Sequence, residues 1–207
     1  MSFIDEIKNR AKKDIKTIVL PEASDLRTIE ATANVLKEGF ANIVLIGNEE
    51  EINKLAKDNN FDISKAKIIN PKNSDKYDTY VEKFYELRKE KGLTLEKAKE
   101  LLLDSVYFGM MMVKMEEADG LVSGAIHSSS DTLRPALQIL KTAPGTKLVS
   151  AFFLMVVPNC EYGENGTFIF GDSGLNENPD SDKLSEIAIS SAKSFEQLTG
   201  KIAKVAM

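Results

Sequence analysis

Hydrophobic positions along the chain alternate between short apolar runs and longer segments in which they recur at helical spacing. Four runs predict strands, and they lie at residues 16–21, 42–47, 67–70 and 118–124. The segments between them repeat apolar residues every three to four positions and therefore predict amphipathic helices. Because parallel strands need crossover connections, this alternation predicts an α/β fold with a mostly parallel sheet covered by helices.

Local start and stop signals set the expected helix limits. Ser24 and Asn48 are the expected N-caps of the first two crossover helices. A Leu- and Met-rich stretch over residues 94–117 predicts helix with a break at Gly109. Pro135 is tolerated in the first turn of a helix, so the helix that contains it is expected to start between residues 130 and 132.

The Pro/Gly stretch at residues 142–146 predicts a domain boundary, with a first α/β domain over 1–145 and a second over 146–207. In the second domain the pattern predicts a buried strand at 147–157, a further strand at 167–171, a helix over about 181–199 and a strand that begins at Ile202. An apolar strand in that last position needs covering segments. We therefore expect the sequence to be truncated and the second domain to be incomplete.

Composition excludes several classes of function. The net charge of −5 argues against sequence-independent nucleic-acid binding, which needs a basic face. One cysteine and one histidine rule out a Cys/His zinc cluster and an internal disulfide framework, so no metal site is expected. The N-terminus lacks the apolar core of a signal peptide, and no apolar run is long enough to cross a bilayer, so we expect a cytoplasmic protein without a membrane partner.

The candidate chemistry lies in residues 123–137, directly behind the fourth predicted strand. In open α/β sheets, ligands bind beyond the carboxyl ends of the strands, where the next helix presents free backbone N–H groups. Hydroxyl groups and a guanidinium near such a helix start suit a phosphate or carboxylate, and they come from Ser128, Ser129, Ser130, Thr132 and Arg134. The alternative is that the serines are ordinary cap residues and Arg134 lies on a solvated face.

Other single residues are less informative. His127 is a candidate general base, with a hydrogen-bonded structural histidine as the favoured alternative because no orienting partner stands at a fixed spacing. Arg88 lies near the C-terminal end of its helix, where a cation is favoured whatever the function. Cys160 follows a strand at a Pro/Asn/Gly turn without a neighbouring cation, which indicates a bystander thiol. The sequence contains no Walker A motif, no G-x-G-x-x-G and no G-x-S-x-G.

Five segments together resemble phosphate acetyltransferases, also called phosphotransacetylases. They are "TIVLPEASDLRTIEA", "ELRKEKGLT", "MMVKMEEADGLVSG", "SGAIHSSSDTLRPALQILKTAPG" and "NENPDSDKLSEIA". The resemblance covers the whole chain and implies interconversion of acetyl-CoA plus phosphate with acetyl phosphate plus CoA. It also implies a two-domain architecture with a cleft, similar to isocitrate and isopropylmalate dehydrogenases.

The resemblance further implies which residues act. Arg88 and Arg134 match arginines that bind CoA and the phosphate-bearing substrate, with Arg134 also stabilising the reacting anion and Ser128 to Thr132 helping to line the cleft. CoA would be a substrate, no cofactor would be tightly bound, and the full-length protein would be a homodimer. Family members continue beyond a position like Met207 with a segment that completes the first domain and carries the general base. We therefore expect this chain to be an N-terminal fragment that is inactive alone.

Three alternatives remain open from the sequence. Phosphate butyryltransferase differs by acyl-chain length, which is set by pocket residues that the sequence does not locate. A second alternative is a non-catalytic acyl-CoA-sensing domain, and a dehydrogenase domain fused to it would distinguish this function. A dehydrogenase of similar fold would need a carboxylate cluster for a divalent metal and a nicotinamide site.

Overall fold

A computed structural model describes residues 3–207, which fold into two units. The first unit spans Lys8–Lys141, and the second comprises Thr142–Met207 with residues 3–7. The change between the units falls at residues 141/142, whereas the sequence pattern places the domain limit at 145/146. The predicted limits therefore stay a prediction.

The helices and strands alternate through most of the chain. The helices are α1 Phe3–Ala11, α2 Leu26–Glu38, α3 Glu49–Asp58, α4 Tyr77–Arg88, α5 Leu95–Leu101, α6 Ser105–Lys114, α7 Ser129–Ile139 and α8 Ser181–Thr199. The strands are β1 Lys16–Leu20, β2 Ala41–Ile46, β3 Lys67–Ile69, β4 Gly120–Leu121, β5 Phe152–Val156 and β6 Thr167–Gly171.

The first unit contains a four-stranded, fully parallel sheet in the order β3-β2-β1-β4. Ile43 and Leu45 of β2 pack on one face with residues of α2 and α3. Val44 and Ile46 pack on the other face with residues of α4, α5 and α6. All four side chains are buried because both faces are covered, as expected for a parallel strand. The predicted parallel sheet flanked by helices is confirmed for this unit.

The order of the strands creates a switch point in the sheet. The chain passes from β1 outward to β2 and β3, and then returns to place β4 on the opposite side of β1. The helices that follow β1 and β4 pack on opposite faces of the sheet, α2 with the cluster that contains Ile43 and Leu45, and α7 with the cluster that contains Val44 and Ile46. A crevice opens between such connections, and ligands of open α/β sheets bind there.

Two predicted helix boundaries in the first unit are wrong. The N-cap of α2 is Asp25 rather than Ser24, and its carboxylate accepts a hydrogen bond from the backbone N–H of Arg27. The 94–117 stretch breaks at residues 102–104 instead of at Gly109, because Asp104 caps α6 by accepting from the N–H groups of Val106 and Tyr107. Asn48 caps α3 as predicted.

Gly109 serves helix packing instead of ending a helix. It lies in the middle of α6 and is buried against the sheet. A Cβ atom at this position would lie 2.6 Å from Leu121 Cδ1 and 3.0 Å from Val19 Cγ1. Glycine therefore lets α6 approach β1 and β4 without displacing these side chains.

The second unit differs in strand direction. Strands β5 and β6 form an antiparallel pair, with Phe153 opposite Phe170. The prediction of a buried strand is wrong, because Phe153 is 61% exposed and other β5 side chains are at least partly exposed. The two-stranded ribbon leaves one face without a covering layer. The predicted strand at Ile202 is also wrong, because residues 202–207, all of which the structure describes, form no strand.

Helix α8 was predicted correctly, and Asp180 caps it by accepting from the N–H of Lys183. No helix within residues 3–207 is both long and apolar enough to span a membrane.

Candidate functional site

A buried carboxylate organises the crevice between β1 and β4. Glu22 follows β1 and is 3% exposed. Its Oε2 accepts hydrogen bonds from the backbone N–H groups of Gly124 and Ala125, each at 2.8 Å. Its Oε1 accepts from the N–H groups of Ile126 at 2.9 Å and His127 at 2.7 Å. One side chain therefore holds the segment 124–127, which we call the β4–α7 loop, from a neighbouring strand end.

The same carboxylate holds the only histidine of the sequence. His127 Nδ1 lies 2.8 Å from Glu22 Oε1. Burial by itself raises the pKa of Glu22, but the N–H groups of the β4–α7 loop and the imidazole bond to the charged form and bring its pKa well below the ordinary value. Glu22 is therefore ionised at neutral pH and acts as an acceptor for all five bonds.

A second contact ties the β4–α7 loop to the start of α2. Arg27 is paired through two nitrogen atoms with Asp25 and also donates a hydrogen bond to the carbonyl of Ala125. The guanidinium beside Asp25 lowers the pKa of that carboxyl. Because Arg27 is mostly exposed, this tie adds less to stability than the buried Glu22 bonds.

Helix α7 begins directly behind this loop. Ser128 is its N-cap, and its hydroxyl oxygen accepts from the backbone N–H of Asp131 at 3.3 Å. The Ser128 hydroxyl donates to Asp131 Oδ2 at 2.6 Å, which lowers the pKa of Asp131. It also lies 2.9 Å from the Ser130 hydroxyl. The three exposed serines therefore stand at the N-terminal end of α7, with Ser129 as its first residue.

Helix α7 starts at Ser129, one residue before the predicted region near residues 130–132, and the expected place of Pro135 in its first turn is wrong. Because Ser128 caps the helix, Pro135 becomes its seventh residue and lies inside it. Proline has no N–H, so the carbonyl of Asp131 lacks the helical bond that residue 135 would otherwise donate. Pro135 is buried, so its ring adds apolar packing at the position where this bond is missing.

Arg134 lies one turn into α7 and lines a cavity of about 110 Å³ with Asp104, Tyr107, His127, Asp131 and Pro135. Its guanidinium is exposed and has no hydrogen-bond or ion-pair partner among residues 3–207. Thr132 lies on the same turn, and its hydroxyl donates to the Ser123 hydroxyl at 3.3 Å. An unpaired guanidinium beside a helix N-terminus favours binding of an anion.

Tyr107 connects the two arginines singled out from the sequence. It is buried, and its hydroxyl donates to Gln138 Oε1 at 3.1 Å. Burial raises the pKa of Tyr107, while the positive charges of Arg134 and Arg88 oppose that rise. Lys97 opposes the rise in the same way, and the helices α4, α6 and α7 contact one another in the first unit.

The sequence did not indicate Glu22, Asp25, Arg27 or Tyr107 as site residues. A usable signal for Glu22 was a lone charged residue between apolar neighbours at the end of a buried strand, in "VLPEAS". Tyr107 carried no such signal, because an aromatic residue in an apolar helix reads as core. Within residues 3–207, no group of three or more His, Cys, Asp or Glu side chains is arranged to hold a metal ion.

Known proteins match the chain over nearly its full length. The family model described as phosphate acetyl/butaryl transferase matches residues 2–207. A phosphate acetyltransferase of Acetivibrio thermocellus is 60% identical over 207 residues, and one of Clostridium acetobutylicum is 47% identical over 207 residues. Each alignment covers 100% of this chain and 62% of the relative, so the chain spans less than two thirds of their length.

Solved structures agree with the sequence relatives. A phosphotransacetylase from Streptococcus pyogenes superposes with a TM-score of 0.87 and 38% identity, covering 95% of this chain and 58% of that protein. The EutD phosphotransacetylase from Staphylococcus aureus superposes with a TM-score of 0.84 and 38% identity, covering 95% of this chain and 57% of that protein. The chain therefore belongs to the phosphate acetyl/butaryl transferase family.

Proposed function

We propose that this chain forms part of a phosphate acetyltransferase, which transfers an acetyl group between CoA and inorganic phosphate. The observation that carries the proposal is the unpaired Arg134 guanidinium beside the N-terminus of α7, in the crevice between β1 and β4. Phosphate and acetyl phosphate are anions that such a site favours. The relatives that cover the whole chain, named as phosphate acetyltransferases, support the acetyl reaction over the butyryl reaction.

In the proposed reaction, the thiolate of CoA attacks the carbonyl carbon of acetyl phosphate directly. A tetrahedral oxyanion forms, and phosphate leaves. Arg134 binds the phosphoryl oxygens and stabilises the charge that develops, because electrostatic stabilisation of an oxyanion is a large part of acyl-transfer catalysis. Exposed hydroxyls of Ser128, Ser129 and Ser130, together with Thr132, line the same helix start and offer further donors.

Arg88 is proposed to bind CoA. It is the last residue of α4 and is half-buried. Because α4 contacts α6 and α7, Arg88 and Arg134 lie in the same unit, and together they would bind the two anionic substrates. CoA is then a substrate and no cofactor is tightly bound. We also propose the two-domain, isocitrate dehydrogenase-like architecture and a homodimer for the full-length protein, on the resemblance alone.

Direct transfer does not use the thiol of Cys160. That side chain is partly buried in the second unit, and its Sγ lies 4.0 Å from the carbonyl of Tyr162. No cation was found near it in the sequence to activate the thiol. Initial-rate measurements with both substrates varied should give intersecting double-reciprocal lines, and Cys160→Ala should leave the rates nearly unchanged.

The test of the proposed function uses the full polypeptide to which this sequence belongs. Arg134→Lys keeps the charge but loses the paired geometry, and Arg134→Ala loses both. Because a hydrogen bond to a charged group contributes about 1.5–3 kcal/mol, kcat/KM for acetyl phosphate should fall by roughly 10- to 150-fold in Arg134→Ala and less in Arg134→Lys. Lys54→Ala, at an exposed position on α3, is the matched control.

The same pair of changes at Arg88 should mainly raise KM for CoA. Failure of the wild-type polypeptide to form acetyl phosphate from acetyl-CoA and phosphate would contradict the proposed function. Equal kcat/KM values in wild type and Arg134→Ala would show that Arg134 is only a solvated first-turn residue.

A further inference from the structure

One ring nitrogen of His127, Nδ1, bonds to Glu22, and the other, Nε2, is available to a ligand. Nδ1 lies 2.8 Å from Glu22 Oε1, and Glu22 is a buried carboxylate that already accepts four backbone N–H bonds. An ionised carboxylate has no hydrogen to donate, so Nδ1 must carry the shared proton. The neutral imidazole therefore has its lone pair on Nε2, and the charged imidazolium has a second N–H there.

Nε2 has no hydrogen-bond partner in the part of the chain that the structure describes. The imidazole is 22% exposed and lines the 110 Å³ cavity beside Arg134. The charged and titratable groups around it come from three elements. They are Glu22 after β1, Asp104 and Tyr107 at the start of α6, and Asp131 and Arg134 on α7. A phosphoryl group bound by Arg134 in this cavity would bring an oxygen to the available nitrogen.

The proposed reaction needs a proton at that oxygen. When the thiolate attacks acetyl phosphate, the C–S bond forms and the C–O bond to phosphate breaks. Without a proton, the leaving group would be the strongly basic phosphate trianion. If the oxygen receives one proton, the leaving group is hydrogen phosphate. In the reverse reaction, hydrogen phosphate attacks acetyl-CoA and must lose that proton. A general acid in one direction is therefore a general base in the other.

We propose that His127 is this catalytic residue and that Glu22 is its positioning residue. The inference rests on the proposed function. The imidazolium donates its Nε2 proton to the oxygen of the breaking C–O bond as the electron pair moves onto that oxygen, and the ring becomes neutral. The imidazole then regains a proton from water, while the thiol proton was lost before attack. Atoms and charge balance without an oxidant, reductant or further reactant.

The first test uses the 207-residue chain and needs no turnover. His127 is the single histidine of the sequence, so a long-range ¹H–¹⁵N spectrum of this chain contains one imidazole. We expect the neutral ring to be protonated at Nδ1 and not at Nε2. We also expect added inorganic phosphate to shift the Nε2 resonance, because the anion would lie at that nitrogen. A neutral ring protonated at Nε2 would overturn the assignment.

The second test measures kcat of the full polypeptide against pH in both directions. In wild type, formation of acetyl-CoA should slow as pH rises through the imidazole titration, because the imidazolium is required. Formation of acetyl phosphate should slow as pH falls through the same range, because the neutral ring is required. Absence of this opposed pair of limbs in an active wild type would overturn the proposal without any variant.

His127→Asn separates catalysis from structure. The asparagine amide can still donate to Glu22 Oε1 but cannot transfer a proton. General acid–base catalysis contributes about 10²–10⁴-fold, so kcat should fall at least about 100-fold in both directions, both pH limbs should disappear, and KM should change little. A variant with kcat within threefold of wild type would contradict the proposal, as would a raised KM with unchanged kcat. An inactive wild type would contradict the proposed function, whereas an active wild type with an active His127→Asn would contradict this inference alone.

Discussion

Two loops of this molecule each donate hydrogen bonds to one carboxylate, but the sequence separation between the carboxylate and its donors differs. The β4–α7 loop is held by Glu22, whose partners lie 102 to 105 residues further on. The loop behind β6 is held by its own Asp172, which accepts from Gly174, Leu175 and Asn176. Most partners of Asp172 are therefore near in sequence, whereas Glu22 reaches all of its partners only because the sheet brings β1 and β4 together.

The two carboxylates have similar electrostatics. Burial by itself raises the pKa of Asp172, but the N–H of Leu175, the Asn176 amide and further N–H groups outweigh it, so the pKa lies below the ordinary value. Asp172 also accepts from the N–H of Ala151 across the ribbon at 3.2 Å. Both loops therefore keep an ionised carboxylate as a hub of hydrogen bonds. What separates them is burial, since Glu22 is 3% exposed and Asp172 is only partly buried.

The largest effect is expected at Glu22. Glu22→Gln keeps the size of the side chain but replaces one acceptor by an NH₂ group that faces N–H donors. Losing charged hydrogen bonds in a buried place costs about 1.5–3 kcal/mol for each group left unpaired, so we expect the free energy of unfolding to fall by about 3 kcal/mol or more. Urea denaturation measures this, and Glu30→Gln on the exposed face of α2 is the matched control.

Amide exchange localises the same change. Exchange of the backbone amides 124–127 should accelerate in Glu22→Gln, while that of residues 174 and 175 should stay as in wild type. Uniform acceleration across both units would mean that the two loops are not independent, and the comparison would fail.

Acid should reduce the stabilisation that Glu22 and Asp172 provide, and the contribution of Glu22 should fall at the higher pH. Because each folded-state pKa lies below the unfolded value, the unfolded chain takes up protons first as pH falls. The stabilisation is fully present above about pH 5 and is lost on acidification. Between an ordinary glutamate pKa of about 4.3 and pH 3, one carboxylate that stays ionised in the fold loses about 2 kcal/mol of stabilisation, and an aspartate about 1 kcal/mol.

Denaturation curves between pH 6 and pH 3 test this directly. The difference in unfolding free energy between wild type and Glu22→Gln should become smaller as pH falls. The wild type loses the stabilisation that the ionised Glu22 provides, whereas the glutamine of the variant does not titrate. A constant gap would show that the charge of Glu22 contributes nothing beyond its shape.

Asp172→Asn should lower the free energy of unfolding less than Glu22→Gln or acidification does. Its bonds are partly exposed to water, which can replace them, so we expect a loss of about 1–1.5 kcal/mol. Exchange of the amides 174 and 175 should accelerate, and Glu177→Gln in the same loop is the control. A loss as large as that of Glu22→Gln would contradict the role given to burial.

The sequence predicted what depends on neighbouring residues. The alternation of apolar runs and amphipathic segments predicted every strand of the parallel sheet, and Asn48 was recognisable as a cap because a cap bonds within three residues. The prediction of Ser24 as a cap failed because the next residue, Asp25, is of a type that caps helices equally well. Gly109 was misread as a break because its role is set by Leu121 and Val19 on other elements.

The candidate site was predictable only in its local half. The helix start with its serines and Arg134 followed from spacing and from the position behind a strand. The partner of His127 could not be found, because Glu22 lies 105 residues away and only the pairing of β1 with β4 brings them together. The exposure of β5 was missed for a similar reason, since an apolar run does not reveal whether a second layer covers it.

The close approach of α6 to the sheet at Gly109 restricts which amino acids this fold tolerates at position 109. In a library with all amino acids at position 109, selection for folded protein should favour glycine and disfavour large side chains, because even a methyl group would lie 2.6 Å from Leu121 Cδ1 and would require that side chain to shift. Position 39, where nothing lies within 4 Å, should in contrast retain asparagine as well as glycine, since only its left-handed backbone restricts it. Two glycines of one chain would then show opposite tolerance, one limited by space and the other by backbone conformation.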